Sequence, residues 1–308
     1  MPPLASVVIP TYNRREYLLR CLRSLFAQTV DPSLYEIVII DDGSTDGTRE
    51  AVEEIKDEAP CPLIYIWQEN SGRARARNEG IRAARGRYII FLDSDMIAGR
   101  GFVSAHLAGH AVPNRIVHGM VIAADDLDAT PERPAKISDI SRAFFATGNT
   151  SIEREKLIAA GLFDEDFQEY GWEDLELGGR LRRLGLRSVK SPEAVSYHLQ
   201  DRLTSAGIGS MIQKEKERGH TAVLFYRKNP SLRVRLMTNL TPVAFILDRL
   251  LLSPFRWIER PWIMKLLEKL ESKGHRRLFL FLAFLLRNHA YVEGLREGLA
   301  KMKKGRLN

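Results

Sequence analysis

The sequence predicts an α/β protein: a doubly wound, mostly parallel sheet followed by a helical, basic C-terminal extension. Three observations lead there. Short apolar runs alternate with helical stripes through the N-terminal third of the chain. Acids gather where two of those runs stop, at Asp41-Asp42 and at Asp93-Ser94-Asp95. Charge is uneven: residues 201–308 carry 22 Lys+Arg against 9 Asp+Glu, net +13, which leaves 24 against 30, net −6, for residues 1–200.

The elements follow in order. SVVIP at 6–10 reads as a strand ending at Pro10, and Glu16 to Gln28 as a helix with its apolar stripe at Leu18, Leu19, Leu22, Leu25 and Phe26. EIVII at 36–40 is the next buried strand. Its Gly-rich turn leads to a helix over 48–58, capped by Asp46 or Ser44. A strand over 63–67, a helix over 73–85 and a strand over 88–92 complete the alternation. Further on, a helix is expected at 102–110, a strand at 115–123, a polar loop at 125–134, a polar turn at 147–151 and helices at 153–160 and 175–184. An extended segment over 188–195 precedes Tyr197-His198.

The stretch GRYIIFLDSDM at 86–96 organises the rest. Two carboxylates at i and i+2 beyond a strand's C-terminal end occupy the place where open α/β sheets bind ligands. They repel unless a divalent cation sits between them and something anionic, and Mg²⁺ or Mn²⁺ carrying a diphosphate meets that need. The competing reading is a helix N-cap, Ser94 or Asp95, with a spare carboxylate. No G-x-G-x-x-G follows the first strand and no G-x-x-x-x-G-K-[ST] occurs, which argues against dinucleotide oxidoreductases and P-loop proteins. Cys21 and Cys61 have neither metal-site nor disulfide spacing, MPPLASVVIP lacks the pattern of a signal peptide, and no long apolar run suggests a membrane span, so a reducing cytoplasm is expected.

In the tail, 208–228 reads as a long helix. Leu240 to Leu252 is largely apolar, and LFLFLAFLL at 278–286 is nine apolar residues between basic clusters, about 14 Å as a helix and too short for a bilayer. With Trp257 and Trp262 nearby, these stretches fit helices lying on an anionic membrane surface. The alternative is a helical subdomain packed on the body or on a second subunit of a homo-oligomer. Aromatic-basic interleaving is missing, which disfavours nucleic acid.

Seven segments together resemble the family 2 glycosyltransferases of the GT-A fold: VVIPTYNR (7–14), IVIIDDGSTDGT (37–48), NSGRARARNEGI (70–81), FLDSDM (91–96), TGNTSIER (147–154), GLFDEDF (161–167) and GWEDLELGGRL (171–181). The resemblance covers about residues 5–200. It implies a catalytic domain over 1–205, with a nucleotide-sugar half to about 97 and an acceptor half from 98, followed by the helical region 206–308. It implies a UDP- or GDP-sugar donor, a divalent metal (Mn²⁺ or Mg²⁺), and a saccharide or lipid-linked acceptor. Pro10, Thr11 and Asn13 fall in the nucleotide loop, Asp42 at the base, and Arg73 and Arg77 beside base and phosphates. Asp93 and Asp95 match the D-x-D pair with Ser94 between them, His198 a further metal ligand, Asn149 a sugar contact, and Glu173 and Asp174 the pair holding the catalytic base.

A metal on Asp95 and His198 would neutralise the departing diphosphate, and Asp174 at a helix start could take the acceptor's proton. The helix dipole lowers that carboxylate's proton affinity while burial and Glu173 raise it, and the sequence leaves the balance open. In-line attack predicts inversion. Retention, a sugar-phosphate nucleotidyltransferase and a non-catalytic nucleotide-sugar binder are the alternatives. Envelope glycolipid or polysaccharide synthesis at the cytoplasmic membrane face is the expected setting.

Overall fold

Side-chain alternation along β1 (Ala5–Thr11) shows why the sheet is covered on both faces. Ala5, Val7 and Ile9 enter one buried cluster and Val8 the other. Strand β2 (Tyr35–Asp41) repeats this with Ile37 and Ile39 against Val38 and Ile40. Helix α1 (Arg15–Phe26) lays Leu18, Leu22 and Leu25 on the first face, joined by Val52 of α2 (Thr48–Glu54). After β3 (Leu63–Trp67), helix α3 (Arg73–Ala83) covers the second face with Ala74, Ala76 and Ile81. There follow β4 (Tyr88–Leu92), β5 (Met96–Ala98), α4 (Phe102–Gly109), β6 (Arg115–Ala124), β7 (Asn149–Glu153), α5 (Arg154–Ala159), α6 (Glu173–Arg183) and β8 (Arg187–Leu199).

These observations come from a computed structural model that describes residues 2–124, 136, 139–199, 202–252 and 261–303. The described strands form one sheet in the order β3-β2-β1-β4-β7-β6-β8-β5. The pairs β1–β2, β1–β4, β2–β3 and β6–β8 are parallel, whereas β4–β7, β6–β7 and β5–β8 are antiparallel. The chain divides into two units, Met1–Gln168 with Glu173–Asp201, and Glu169–Trp172 with Arg202–Asn308.

Several local expectations need correction. The helix expected over 48–58 stops at Glu54 and gives way to a 3₁₀ turn, Lys56–Glu58. Its N-cap is Gly47 at φ 81°, not Asp46 or Ser44. Those side chains pin the loop after β1 instead: Asp46 accepts from the Arg15 N–H and the Thr48 hydroxyl, and Ser44 Oγ from the Asn13 N–H. The polar run 147–151 turns at Thr147-Gly148 and then starts β7 at Asn149, whose Thr150 and Ser151 are buried because histidine rings satisfy their hydroxyls. No helix starts at Ser94 or Asp95; the chain turns into β5. The extended segment near 188 runs through Tyr197 and His198 to Leu199. The loop 125–134 and Trp257 lie outside the described residues.

The second unit is helical: α7 (Ile208–Lys228), α8 (Leu232–Met237), α9 (Pro242–Leu247) continuing as a wider helical turn over Asp248–Leu252, α10 (Pro261–Ser272) and α11 (Arg276–Lys303). The nine-residue apolar run is therefore part of a 28-residue helix. By length and composition α11 could cross a membrane, but half of its most apolar window is buried within the protein. Glycines set how closely it meets α7. A Cβ on Gly294 would lie 2.2 Å from the Lys216 carbonyl oxygen, and one on Gly219 would lie 2.4 Å from that of Tyr291.

Gly294→Val should therefore lower stability by about 1–3 kcal/mol, through forced separation of the two backbones. Gly209→Ala, in open space on the same α7, should be neutral or stabilising. Thermal unfolding of both variants tests this, and equal melting temperatures would refute the close packing.

Candidate functional site

The site gathers at the C-terminal ends of the parallel strands. β4 ends at Leu92 and delivers Asp93 to a tight turn, in which the Met96 N–H donates to the Asp93 carbonyl at 3.1 Å. The antiparallel register of β5 on β8 sets Met96 opposite His198, and the Leu199 N–H donates to the Asp95 carbonyl at 2.9 Å. His198 Nε2 consequently lies 3.5 Å from Asp95 Oδ2, and Arg14, in the loop after β1, reaches the same oxygen at 3.5 Å. Burial pushes the Asp95 carboxyl up, but the His198 hydrogen bond and charge, then Arg14, outweigh it and hold the group below the usual carboxylate range. Asp95 in turn raises His198.

Arg77 joins the acidic turn to α6. In the RARAR run Arg73 and Arg75 are exposed, while Arg77 faces inward and is 2% exposed. Its guanidinium holds Glu173 Oε1 at 2.8 Å and Asp93 Oδ1 at 3.4 Å. Burial works against its charge, but Glu173 and then Asp93 outweigh this, so the arginine stays charged. The other half of the acidic pair, Asp174, is half-buried and accepts from the Leu175 N–H at 2.7 Å. Desolvation, then the Glu173 charge, pushes its carboxyl up to about 7. The balance left open by sequence thus falls on the side of burial and like charge, over the helix dipole.

On the β1–β3 side, Asp42 is buried and largely occupied. Its Oδ1 accepts from Gln68 Nε2 at 2.6 Å and the Ser71 N–H at 2.9 Å, and its Oδ2 from the Gly72 N–H at 3.0 Å. Asn13, at φ 49°, donates its N–H to Ser44 and accepts from the Thr45 N–H through Oδ1. Thr11 is buried at the end of β1 beside Pro10, and Ser94 is buried between the two acids.

Among the described residues of this unit, five buried polar atoms have no hydrogen-bond partner: Thr11 Oγ1, Gln68 Oε1, Arg77 Nε, Asp95 Oδ1 and Glu173 Oε2. Buried polar atoms are rarely left unpaired, and these belong to strand-end loops and to the two helices that meet the acidic turn. They lie on the same strand ends and helices as Asp93, Asp95 and Glu173. Gln68 and Arg14 were given no role from sequence. Both follow strand ends, as the two acidic pairs do, so the same positional rule would have found them.

Asn149 is a correction. It is not open to a sugar, because its residue is 4% exposed and its amide is engaged on both ends. Nδ2 donates to the Met120 and Ala194 carbonyls, and Oδ1 accepts from His106 Nε2 at 2.8 Å. The Ser151 hydroxyl links His106 Nδ1 to His110 Nε2. Burial holds His106 down to about 3 and His110 down to about 4, so both rings stay neutral and the network is structural.

Asp95 Oδ1, buried and unpartnered, and the His198 ring are donors of the kind a divalent cation takes. Among the described residues no group of three His, Cys, Asp or Glu side chains forms a complete metal site.

The sequence profile described as Glycosyl transferase family 2 matches residues 6–163. Validoxylamine A glucosyltransferase of Streptomyces hygroscopicus subsp. limoneus is 33% identical over 278 residues, covering 78% of this chain and 60% of its own. The chain thus spans about three fifths of that relative. Two solved structures share the fold. The mannosyltransferase PcManGT from Pyrobaculum calidifontis, in complex with GDP-Man and Mn²⁺, has a TM-score of 0.65 at 18% identity over 97% of this chain and 88% of its own. S. aureus TarS 1-349, in complex with UDP-GlcNAc, has a TM-score of 0.51 at 15% identity over 99% and 93%. The curled mixed sheet and the acidic strand ends therefore have a family: this chain belongs to glycosyltransferase family 2.

Proposed function

We propose that the protein transfers a hexosyl group from a UDP- or GDP-sugar to a hydroxyl of a saccharide or lipid-linked acceptor, with inversion and with a divalent cation, in envelope glycan synthesis at the cytoplasmic membrane face. One observation carries the reading. Arg77 ties Asp93 of the acidic turn to Glu173 at the start of α6, and the His198 imidazole at the end of β8 pairs with Asp95 of the same turn. The nucleotide complexes of the two solved neighbours support a donor of this class. Repulsion among Asp93, Asp95, Glu173 and Asp174 makes the cleft suited to a cation-borne diphosphate and poor for a bare anion.

The roles follow from position. Thr11, Asn13, Asp42 and Gln68 border the base and ribose, with Gln68 Oε1 an acceptor for a base N–H. Arg77 fixes Asp93 and Glu173, and Asp174 takes the acceptor's hydroxyl proton. A carboxyl held near neutrality is matched to that task. Mn²⁺ or Mg²⁺ held by Asp95 and His198, with Asp93 beside it, would supply Lewis-acid stabilisation of the leaving diphosphate. Attack from the face opposite the leaving group inverts the anomeric centre.

Release of nucleoside diphosphate from a donor panel, with and without Mn²⁺, tests the reading. A nucleotidyltransferase would consume or release pyrophosphate instead, and a binding protein would release nothing. Asp95→Ala should lower turnover at least 100-fold and weaken Mn²⁺ activation while the melting profile stays cooperative. Near-normal turnover would remove Asp95 from the metal site. An α-linked product from an α-linked donor, seen by NMR, would replace inversion with retention.

A further inference from the structure

The helical unit presents an inverted surface. Along α9 and its continuation, Phe245 and Asp248 point inward. Phe245 lies under the Arg296 guanidinium, and Asp248, 3% exposed, holds His289 Nδ1 at 2.8 Å and Arg296 at 2.6 Å. The residues on the outer face, Val243, Ile246, Leu247 and Leu250, fall at i, i+3, i+4 and i+7 and are all apolar. Leu250 is 67% exposed. Just before it, α8 exposes Leu232 and Leu236 one turn apart. A soluble amphipathic helix buries this stripe, whereas here the charged position is buried and the apolar stripe faces out. Exposed apolar side chains concentrated on short helices are the kind of surface that docks to a partner.

Its charges indicate what docks. Between residues 226 and 252 the basic residues are Arg227, Lys228, Arg233, Arg235 and Arg249, and the one acid is the buried, paired Asp248. Arg233, Arg235 and Arg249 are exposed among the apolar anchors. A second copy of the chain, docked by two-fold symmetry, would set this patch on itself and bring arginines against arginines. A surface that is both anionic and apolar at its boundary satisfies both features. Each helix is separately capped, by Ser231 Oγ on the Val234 N–H and by Thr241 Oγ1 on the Ala244 N–H, so the segments are short and suited to lying in an interface, not to spanning it.

We propose that α8 and α9 form a membrane-docking face, with Leu232, Leu236, Ile246 and Leu250 entering the acyl boundary of an anionic bilayer and Arg233, Arg235 and Arg249 resting on the headgroups. The proposal deepens the membrane placement in the proposed function, while glycosyl transfer itself is tested separately by nucleoside diphosphate release. Flotation of the full chain with vesicles of phosphatidylcholine, with and without phosphatidylglycerol, tests it. Binding should require phosphatidylglycerol and fall with added salt. Leu232→Ser/Leu236→Ser/Ile246→Ser/Leu250→Ser should weaken partitioning at least tenfold. Arg233→Gln/Arg249→Gln should weaken it by about fivefold per charge removed. Melting temperature and nucleoside diphosphate release should not change in either variant. No vesicle binding, or undiminished binding by both variants, overturns the proposal. So does a wild-type dimer that becomes monomeric in the leucine variant without any vesicle binding, which would assign the face to a second copy.

Discussion

Asp174→Asn is expected to lower kcat by about 10²–10⁴-fold, the usual contribution of a positioned general base, and to raise the melting temperature at pH 8. The two effects share a cause. In the folded protein the Asp174 carboxyl sits at about 7 because burial and Glu173 disfavour its charge. In the unfolded chain it returns to the ordinary carboxylate range. A folded-state pKa above the unfolded one stabilises the protein at low pH, and this stabilisation is lost as pH rises through about 7. At pH 8 the wild type therefore holds an ionised carboxylate in an unfavourable place, and the amide relieves it. The same group predicts that wild-type kcat falls about tenfold per pH unit below about 7, where the base is protonated. Stopped-time assays across pH, beside calorimetry of both proteins at pH 8, measure this. A variant that loses activity but melts at or below the wild-type temperature at pH 8 would overturn the strained-base account.

Arg77→Met is expected to produce the largest loss of stability, about 3–5 kcal/mol, because it removes one member of a buried charge cluster and leaves the others uncompensated. Glu173 is 6% exposed and Arg77 is its ion-pair partner at 2.8 Å. Methionine matches much of the arginine's length and apolar stem, so packing against Phe163, over whose ring the guanidinium lies, is partly kept. The loss then reports charge. Arg77→Met/Glu173→Gln should recover most of the stability and none of the activity, since the double variant no longer buries an unpaired carboxylate but also no longer fixes Asp93. Denaturant unfolding of the single and double variants gives the coupling directly. If the double variant is no more stable than Arg77→Met, the arginine's contribution lies in packing and not in the Glu173 pair.

Much of the fold of the first unit was legible because parallel strands buried on both faces announce themselves as short apolar runs. EIVII and YIIFL were placed within a residue of their observed bounds for that reason. The misreadings have specific physical origins. Thr150 and Ser151 look like turn residues until the histidines on α4 and β6 that accept and donate to them are known, and those are remote in sequence. Asn149 followed a glycine and resembled a sugar contact, yet the carbonyls of Met120 and Ala194 engage its amide. Strand β5 is only Met96–Ala98, too short for any periodicity, and it aligns the acidic turn with His198. The resemblance names Asp93, Asp95, Arg77, Glu173 and His198 together, but that Arg77 alone of RARAR turns inward depends on which face of α3 meets the sheet. In the tail, pattern distinguished apolar from polar stretches. It could not tell that α11 uses part of its apolar surface on α7 while α9 turns its own outward.

The position of β8 has a consequence for the order of assembly. It is the penultimate strand in the sheet, between β6 and β5, yet the last in sequence. His198 can reach Asp95 only after a ribosome has released residue 199, so a nascent chain containing β1 to β4 carries its D-x-D turn without its imidazole partner. Such long-range closure is slow relative to local helix and strand formation. Refolding followed by nucleotide binding should therefore lag refolding followed by far-ultraviolet circular dichroism, with competence arriving as the final event.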